Sequence, residues 1–352
     1  MAATDTQSAP VGPVPFKDVD GDGDKASVNP EKPREGLTDL AGMVASLPSK
    51  MSAERPVMMR FYQGAWLPEE WLPAAVAMHR GFTPRPDDVI VASLLKCGTT
   101  WLNALAFATM ARRTHPPSAA DHPLRRLNPH QCLPFLEGLF LSNREAMLDA
   151  LPSPRLVNTH MPLSMLPSTT TAGGGGCRVI YICREPKDMV VSWWHFSRRR
   201  EEKYSIATFA EVVASFCSGV RLYGPFWEHI LGYWHASAAR PDNVLFLRYE
   251  ELLRDPAGNV RKLARFVGLP FSAAEEDAGV VESIVELCSL DYMKNIEANK
   301  TGFMDPVFKI PRAALFRKGM TGDWANHMTP EMARRLDEIV ADKLTTAGLT
   351  FQ

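Results

Sequence analysis

Lys96-Cys97-Gly98-Thr99-Thr100 places a cation, a glycine and two hydroxyls in consecutive positions. A helix starting there offers its first unpaired backbone N–H groups together with the lysine charge and the threonine hydroxyls. That combination suits an anion, most naturally a phosphate. The same residues also make a plain capped helix, with Gly98 in the turn and Thr99 or Thr100 as N-cap. The stretch alone leaves both readings open. It is not a Walker A loop, which needs a glycine five residues ahead of a Gly-Lys pair; here lysine precedes the loop's only glycine.

The elements that must position these groups follow from hydrophobic patterning. Val89-Ile90-Val91-Ala92 is an apolar, β-branched run and predicts a buried strand. From Thr99 onward apolar residues recur three and four apart, and Arg112 and Arg113 close the segment, which predicts a helix with a basic last turn. Further strands are expected at 155–160, 177–183 and 243–248, the second of these apolar enough to be central and parallel. Helices are expected over 186–200, 207–219, 225–239, 274–288 and 329–345, and after the fourth strand as far as Gly268. The text from 37 to 81 reads as mixed helix and loop, with Tyr62, Trp66, Leu67, Trp71 and Leu72 packing on the core. Residues 168–176, ending in four glycines, read as a flexible connection. Strands alternating with helices predict an α/β fold, a central parallel sheet covered on both faces with ligands at the carboxyl ends of its strands.

Composition narrows the function. The chain has 352 residues, 45% hydrophobic and 22% charged, enough for one large α/β domain or two small ones. Its 39 basic and 40 acidic side chains leave a net charge of −1, which argues against a general nucleic-acid or membrane-surface binder. Six cysteines are scattered without a C-x-x-C pair, so neither a zinc ribbon nor a disulfide framework is expected, and a reduced, cytoplasmic setting is. No secretory leader is expected, and no apolar run approaches the roughly 20 residues that span a bilayer. Residues 1 to about 35 are rich in Pro, Asp, Gly and Ala and read as a disordered tail. Asp18–Gly23 imitates the start of a calcium loop, but its twelfth position is Asn29 rather than Glu, so chance explains it. His115, His122 and His130 share no helix face at metal-ligand spacing and read as surface residues.

In a parallel sheet the groups that follow the strands meet at one edge. Lys96–Thr100 follows the first strand, His160 the second, Arg184 the third and Tyr249 the fourth. A basic-glycine turn, Phe316-Arg317-Lys318-Gly319, lies between two helical regions. Folded back to that edge, it gathers Lys96, Arg184, Arg317 and Lys318 around one helix N-terminus with a histidine alongside. In a chain of nearly zero net charge this predicts a polyanionic small molecule as ligand.

Four stretches then resemble one family. SLLKCGTTW is similar to the phosphosulfate loop of the cytosolic sulfotransferases, usually written Y-P-K-S-G-T-T-W; NTHMPLSMLP resembles their catalytic-histidine segment. YICREPKDMVVSWWHF is similar to the stretch that binds the donor's 3′-phosphate, and FRKGMTGDW to the C-terminal nucleotide-binding turn. The motifs occur in family order over about 60 to 345, and YQGAWLPEEWL and CREPKD resemble the plant branch more than the animal one.

The resemblance implies a P-loop NTPase-like sulfotransferase fold in a single domain over 56–352, with 1–55 as disordered tail and lead-in. It implies 3′-phosphoadenosine 5′-phosphosulfate (PAPS) as co-substrate, no metal, and a small, largely apolar hydroxyl acceptor such as a plant specialised metabolite or hormone. Lys96, Cys97, Gly98, Thr99, Thr100 and Trp101 would hold the 5′-phosphosulfate and adenosine. Arg184 and Ser192 would hold the 3′-phosphate with Arg317, Lys318 and Gly319. Tyr249 and the stretch from Cys288 to Met293 would line the adenine side. His160 would be the base, and Lys96 would neutralise charge on the leaving oxygen. No nucleic-acid or membrane partner is implied, and the chain is expected as a monomer or homodimer, without the animal K-x-x-x-T-V dimer signature near 295–309.

Three departures stand out. Leu94-Leu95 replace Tyr-Pro, Cys97 replaces Ser, and Asn158 stands where animal members carry a second active-site lysine. Cys97, at a helix N-terminus beside Lys96, is expected to have a lowered pKa and to react readily if solvent reaches it. Two other readings compete: a nucleotide kinase or NTPase, which lacks its Gly-Lys-Ser/Thr loop and magnesium-binding Asp here, and a nucleotide-binding protein with little or no turnover.

Overall fold

The computed structural model describes residues 12–20, 40–171, 176–199, 207–304 and 309–351. Its strands form two sheets. Ser49–Met51 (β1), Met58–Tyr62 (β2) and Ala65–Pro68 (β3) make an antiparallel sheet in the order β1-β2-β3. Val89–Ser93 (β4), Leu156–Thr159 (β5), Arg178–Cys183 (β6) and Val244–Arg248 (β7) make a parallel sheet in the order β5-β4-β6-β7. All four strands of the parallel sheet lie where the patterning placed them.

The small sheet does not. The expectation of helix and loop over 37–81 gives way to a hairpin whose two-residue turn is Gln63-Gly64, both with positive φ, +48° and +85°. Tyr62 pairs directly with Ala65 across it. This is the backbone of the primed turns that join twisted strands, written with Gln-Gly rather than Asn-Gly. Leu67 and Leu72 of the expected aromatic-rich cluster are fully buried, and Trp66 nearly so.

Side-chain alternation along β4 and β6 divides the core into two layers. Ile90, Ala92, Val179 and Tyr181 face one, packed by Met189 and Val190 of the helix Pro186–Arg199 and by Phe226, Ile230 and Tyr233 of the helix Phe226–Ala239. Val89, Val91, Ile180 and Ile182 face the other, against Leu102 and Leu105 of the helix Thr99–Met110 and against Leu263 and Ile284. Burial of each large side chain contributes about 1.5–3 kcal/mol, so β4 is fixed from both sides.

Other helices break where local chemistry demands. The expected 274–288 helix is two, Ala273–Asp277 and Val280–Leu287, parted at Gly279 with φ +68°. The run after β7 likewise divides into Tyr249–Arg254 and Pro256–Phe266 at Asp255, whose side chain caps the second piece. The helix Thr99–Met110 ends before Arg112, which still donates to the Thr109 carbonyl at 3.0 Å. Most of the expected tail and Gly173–Gly175 lie outside the described residues; within the tail, Phe16–Asp20 is a helical turn whose Asp18 pairs with Arg126 at 2.5 Å. Among the described residues no helix is long and apolar enough to cross a membrane.

Candidate active site

β4 ends at Ser93, and the chain turns through Leu94–Gly98 into the helix Thr99–Met110. Two residues with left-handed backbone make the turn, Lys96 at φ +71° and Gly98 at +103°. Only glycine fits the second, because a Cβ there would lie 2.7 Å from Cδ2 of Tyr249. Lys96 carries the strain of a left-handed non-glycine residue, a feature that clusters at functional sites. The Lys96 ammonium lies 3.9 Å from the Phe196 ring centroid.

Cys97 behaves differently from expectation. Its side chain is fully buried, with Sγ 3.5 Å from the Met189 sulfur, and burial pushes the thiol up to about 12, more than Arg184 pulls it down. The turn aims the residue into the core, so proximity to a helix N-terminus brings neither exposure nor a thiolate. The expectation of a reactive cysteine is therefore corrected.

His160 follows β5 and is nearly buried. Its Nδ1 lies 2.7 Å from the Ser93 carbonyl oxygen, and Ser93 Oγ lies 2.7 Å from Thr99 Oγ1. Only an N–H can pair with a carbonyl, so in the neutral ring Nδ1 carries the proton and Nε2 the lone pair. The His160 backbone is pinned on both sides. Its N–H donates to Glu137 Oε1 at 2.6 Å, and its carbonyl accepts from His229 Nε2 at 2.9 Å. His229 Nδ1 in turn accepts from the Tyr181 hydroxyl at 2.9 Å. Burial, with Lys96 adding to it, takes His160 down to about 4 and keeps it neutral; burial lifts Glu137 to about 7. Glu137 and His229 carry no motif and sequence reasoning passed over them, while Tyr181 opens the YICREPKD stretch without having been given a role.

The cations converge. Arg184 stacks 4.4 Å from the Tyr249 ring centroid and donates through Nη2 to the Met320 carbonyl at 2.8 Å, while its buried Nε has no partner among the described residues. Arg317 and Lys318 both pair with the fully buried Asp323. Burial favours the acid form of Asp323, but hydrogen bonds from Lys318, Arg317 and Asn326 outweigh it and hold the carboxyl far below its ordinary value. Burial, then Arg184, Arg317 and Arg199, takes Lys96 down to about 7.

Of the predicted site residues, all but Cys97 and Cys288 line one cavity of about 310 Å³. Cys288 is fully buried, and its neighbours Ser289 and Leu290 face the cavity instead. Gly319, at φ +63°, packs so closely on Leu290 that a Cβ would lie 2.5 Å from its Cδ2. Asn158 is also absent from the cavity: its Nδ2 donates to the Val91 carbonyl at 3.1 Å inside the sheet. The surface reading of two histidines is corrected as well. His122 is fully buried and caps Leu124, and His130 lines the cavity, its Nε2 2.9 Å from Thr100 Oγ1. A more open hollow of about 630 Å³ that shares Leu253 with the site, lined by Glu185, Glu250 and Trp324, contains none of the predicted residues. Among the described residues no group of three or more His, Cys, Asp or Glu is placed to hold a metal ion.

Residues 86–348 match the family of the sulfotransferase domain. Cytosolic sulfotransferase 5 of Arabidopsis thaliana is 39% identical over 312 residues, 88% of this chain and 95% of that protein. Among solved structures, a candidate steroid sulphotransferase of Arabidopsis thaliana superposes with a TM-score of 0.69 at 32% identity, over 91% of this chain and 99% of its own. A mouse sulfotransferase complexed with PAP superposes with a TM-score of 0.62 at 27% identity, over 82% of this chain and 95% of its own.

Proposed function

The chain belongs to the sulfotransferase family, in its plant cytosolic branch, and on that footing we propose that it transfers a sulfuryl group from PAPS to a hydroxyl of a small, largely apolar acceptor. The products are a sulfate ester and 3′,5′-ADP. The observation that carries this reading is the meeting of four cations and the neutral imidazole of His160 on a single cavity at the N-terminus of the helix Thr99–Met110.

The residues present fit such a donor. Arg184 Nε is buried without a partner among the described residues, and burial together with neighbouring arginines lowers the Lys96 pKa to about 7, so both gain from a nearby anion. PAP, which is 3′,5′-ADP, is the ligand of the mouse structure. Bound here, the donor supplies an activated sulfuryl group joined to phosphate through an oxygen. Arg184, Ser192, Arg317, Lys318 and Gly319 hold the 3′-phosphate. Gly98, Thr99 and Thr100 hold the 5′ end, and Cys97 serves through the backbone turn alone. Trp101, Tyr249 and Met293 flank the adenine.

Nε2 of His160 accepts the proton of the acceptor hydroxyl as its oxygen bonds to sulfur. Lys96 neutralises the charge that appears on the oxygen leaving sulfur. Phe135 packs edge-on to His160 at 5.4 Å, and Phe196, Met304 and Ile310 line the same cavity, which favours an apolar acceptor body. The catalytic domain is taken as 56–352, working in the cytoplasm as a monomer or homodimer. Incubating the protein with PAPS and a panel of hydroxylated plant metabolites should give at least one product heavier by a sulfonate. Binding of 3′,5′-ADP with no product from any acceptor would leave a nucleotide-binding protein without turnover.

A further inference from the structure

His130 lines the same cavity as the predicted machinery yet belongs to none of its motifs. A short helix, Pro129–Cys132, carries it, and that helix is firmly held. Asn128 caps it by accepting from the His130 N–H at 3.0 Å, and Gln131 Oε1 accepts from the Asn128 N–H at 3.1 Å. Asn128 Nδ2 donates to Asn299 Oδ1 at 2.7 Å, and Asn299 donates to the Met293 carbonyl at 2.8 Å, tying this helix to the cavity wall.

The ring contacts two side chains of the helix Thr99–Met110. Nε2 lies 2.9 Å from Thr100 Oγ1, and Nδ1 lies 3.5 Å from Nδ2 of the fully buried Asn103. Nδ2 and not Oδ1 of the Asn103 amide faces the ring, and an amide nitrogen can only donate, so this orientation selects the tautomer with a bare Nδ1 and a proton on Nε2, whereas the reversed amide would select the other. Nε2–H then donates to Thr100 Oγ1. With its oxygen occupied as an acceptor, the Thr100 hydroxyl is free to direct its own proton into the cavity. The opposite tautomer would draw that proton to Nε2 and present threonine lone pairs to any anion. Burial, then His160 and Lys96, takes His130 down to about 3, so the ring stays neutral beside these groups.

We propose that His130 is a positioning residue of the anion site: through Nε2–H it turns the Thr100 hydroxyl proton toward the anion at the start of the helix Thr99–Met110. The proposal rests on the PAPS reading, with the 5′-phosphosulfate as that anion.

A double-mutant cycle on the full chain tests it, with calorimetric affinity for PAPS and 3′,5′-ADP as readout. His130→Phe and Thr100→Val should each weaken binding on the order of tenfold, the scale of one hydrogen bond to a charged group. The double variant should bind no worse than about threefold below either single, because both remove the same interaction. His130→Gln, which keeps an N–H donor, should recover most of the loss and also serves if the Phe variant does not fold. ¹⁵N spectra of the wild-type imidazole should show the proton on Nε2. Additive losses, an unchanged affinity in folded His130→Gln and His130→Phe alike, or a proton on Nδ1 would overturn the relay alone. A wild type that binds neither nucleotide would overturn the PAPS reading and this inference together.

Discussion

Nδ1 of His160 and the main-chain carbonyl of Ser93 are 2.7 Å apart, joining the ends of β5 and β4. The bond decides which nitrogen can act. Nε2 is left as the only acceptor of the neutral ring, and burial keeps the ring neutral down to about 4. Removing the base should therefore abolish turnover and spare the nucleotide. His160→Ala is expected to lower kcat/KM by at least about 10²-fold, the low end for a positioned general base, with 3′,5′-ADP affinity near wild type. Because the pKa is lowered, the acid limb of kcat/KM should fall near pH 4; a limb at 6.5 would show that His160 is solvated in the free protein.

Arg184 should dominate recognition of the 3′-phosphate. In thermal melts, 3′,5′-ADP should raise the midpoint of the wild type by mass action, and AMP should do little. Arg184→Ala should remove most of the 3′,5′-ADP response. Equal shifts with AMP and 3′,5′-ADP would remove the 3′-phosphate from this part of the cavity.

Lys96 should couple nucleotide binding to protons. Its pKa of about 7 in the free protein lies below the 10.5 of an unperturbed lysine, and a bound anion favours its charged form. At pH 8, binding should take up a proton, seen as a dependence of the calorimetric heat on the buffer's ionisation enthalpy. Affinity should fall as pH rises above 7. Stability of the free protein responds with the opposite sign: the unfolded chain binds more protons between 7 and 10.5, so this group's contribution rises with pH. Lys96→Met should remove the proton uptake.

Native alkylation should bypass the loop. Cys217 is partly exposed, whereas Cys97, Cys132, Cys177, Cys183 and Cys288 are buried. Iodoacetamide followed by peptide mapping should label Cys217 first and Cys97 only on unfolding. Cys97→Ser should cost about 1–3 kcal/mol, the penalty of a buried hydroxyl left unpaired, measured by denaturant titration. Rapid Cys97 labelling that 3′,5′-ADP prevents would mean the loop opens to solvent.

Gly98→Ala should disable the loop. The substitution combines a left-handed backbone, costing about 1–2 kcal/mol for an L-residue, with a 2.7 Å approach to Tyr249. Nucleotide affinity should drop more than about tenfold, and the midpoint should fall; an unchanged affinity would show that Tyr249 gives way freely.

The parallel sheet and the residues at its carboxyl edge were legible because their signals are local. β4, β6 and β7 are nearly continuous apolar runs, β5 begins with Leu156-Val157, and Lys96, His160, Arg184 and Tyr249 sit beside them in sequence. The hairpin from Met58 to Pro68 was not, since β3 is buried at every position instead of alternating and its turn is Gln-Gly. Cys97 was misread because sequence gives its place in the loop but not the side to which a left-handed Lys96 turns it. His130, Glu137 and His229 escaped for a shared reason. Their roles depend on partners 23 to 69 residues away along the chain, and no spacing rule reaches that far.

Asp323 pairs with both Arg317 and Lys318 before any ligand arrives and offsets one of their two positive charges. Filling that corner is thus an exchange of counter-ions within a preset lattice, and not the capture of an anion by bare positive charge. The reach of such a lattice is short. Past a screening distance of about 8 Å at physiological ionic strength, the positive charge left over is damped and draws a passing polyphosphate in only weakly. Discrimination is exercised at contact, where only an anion that outbids a fixed carboxylate for the same guanidinium stays. Association rates should accordingly fall modestly as salt rises, while dissociation rates carry the selectivity.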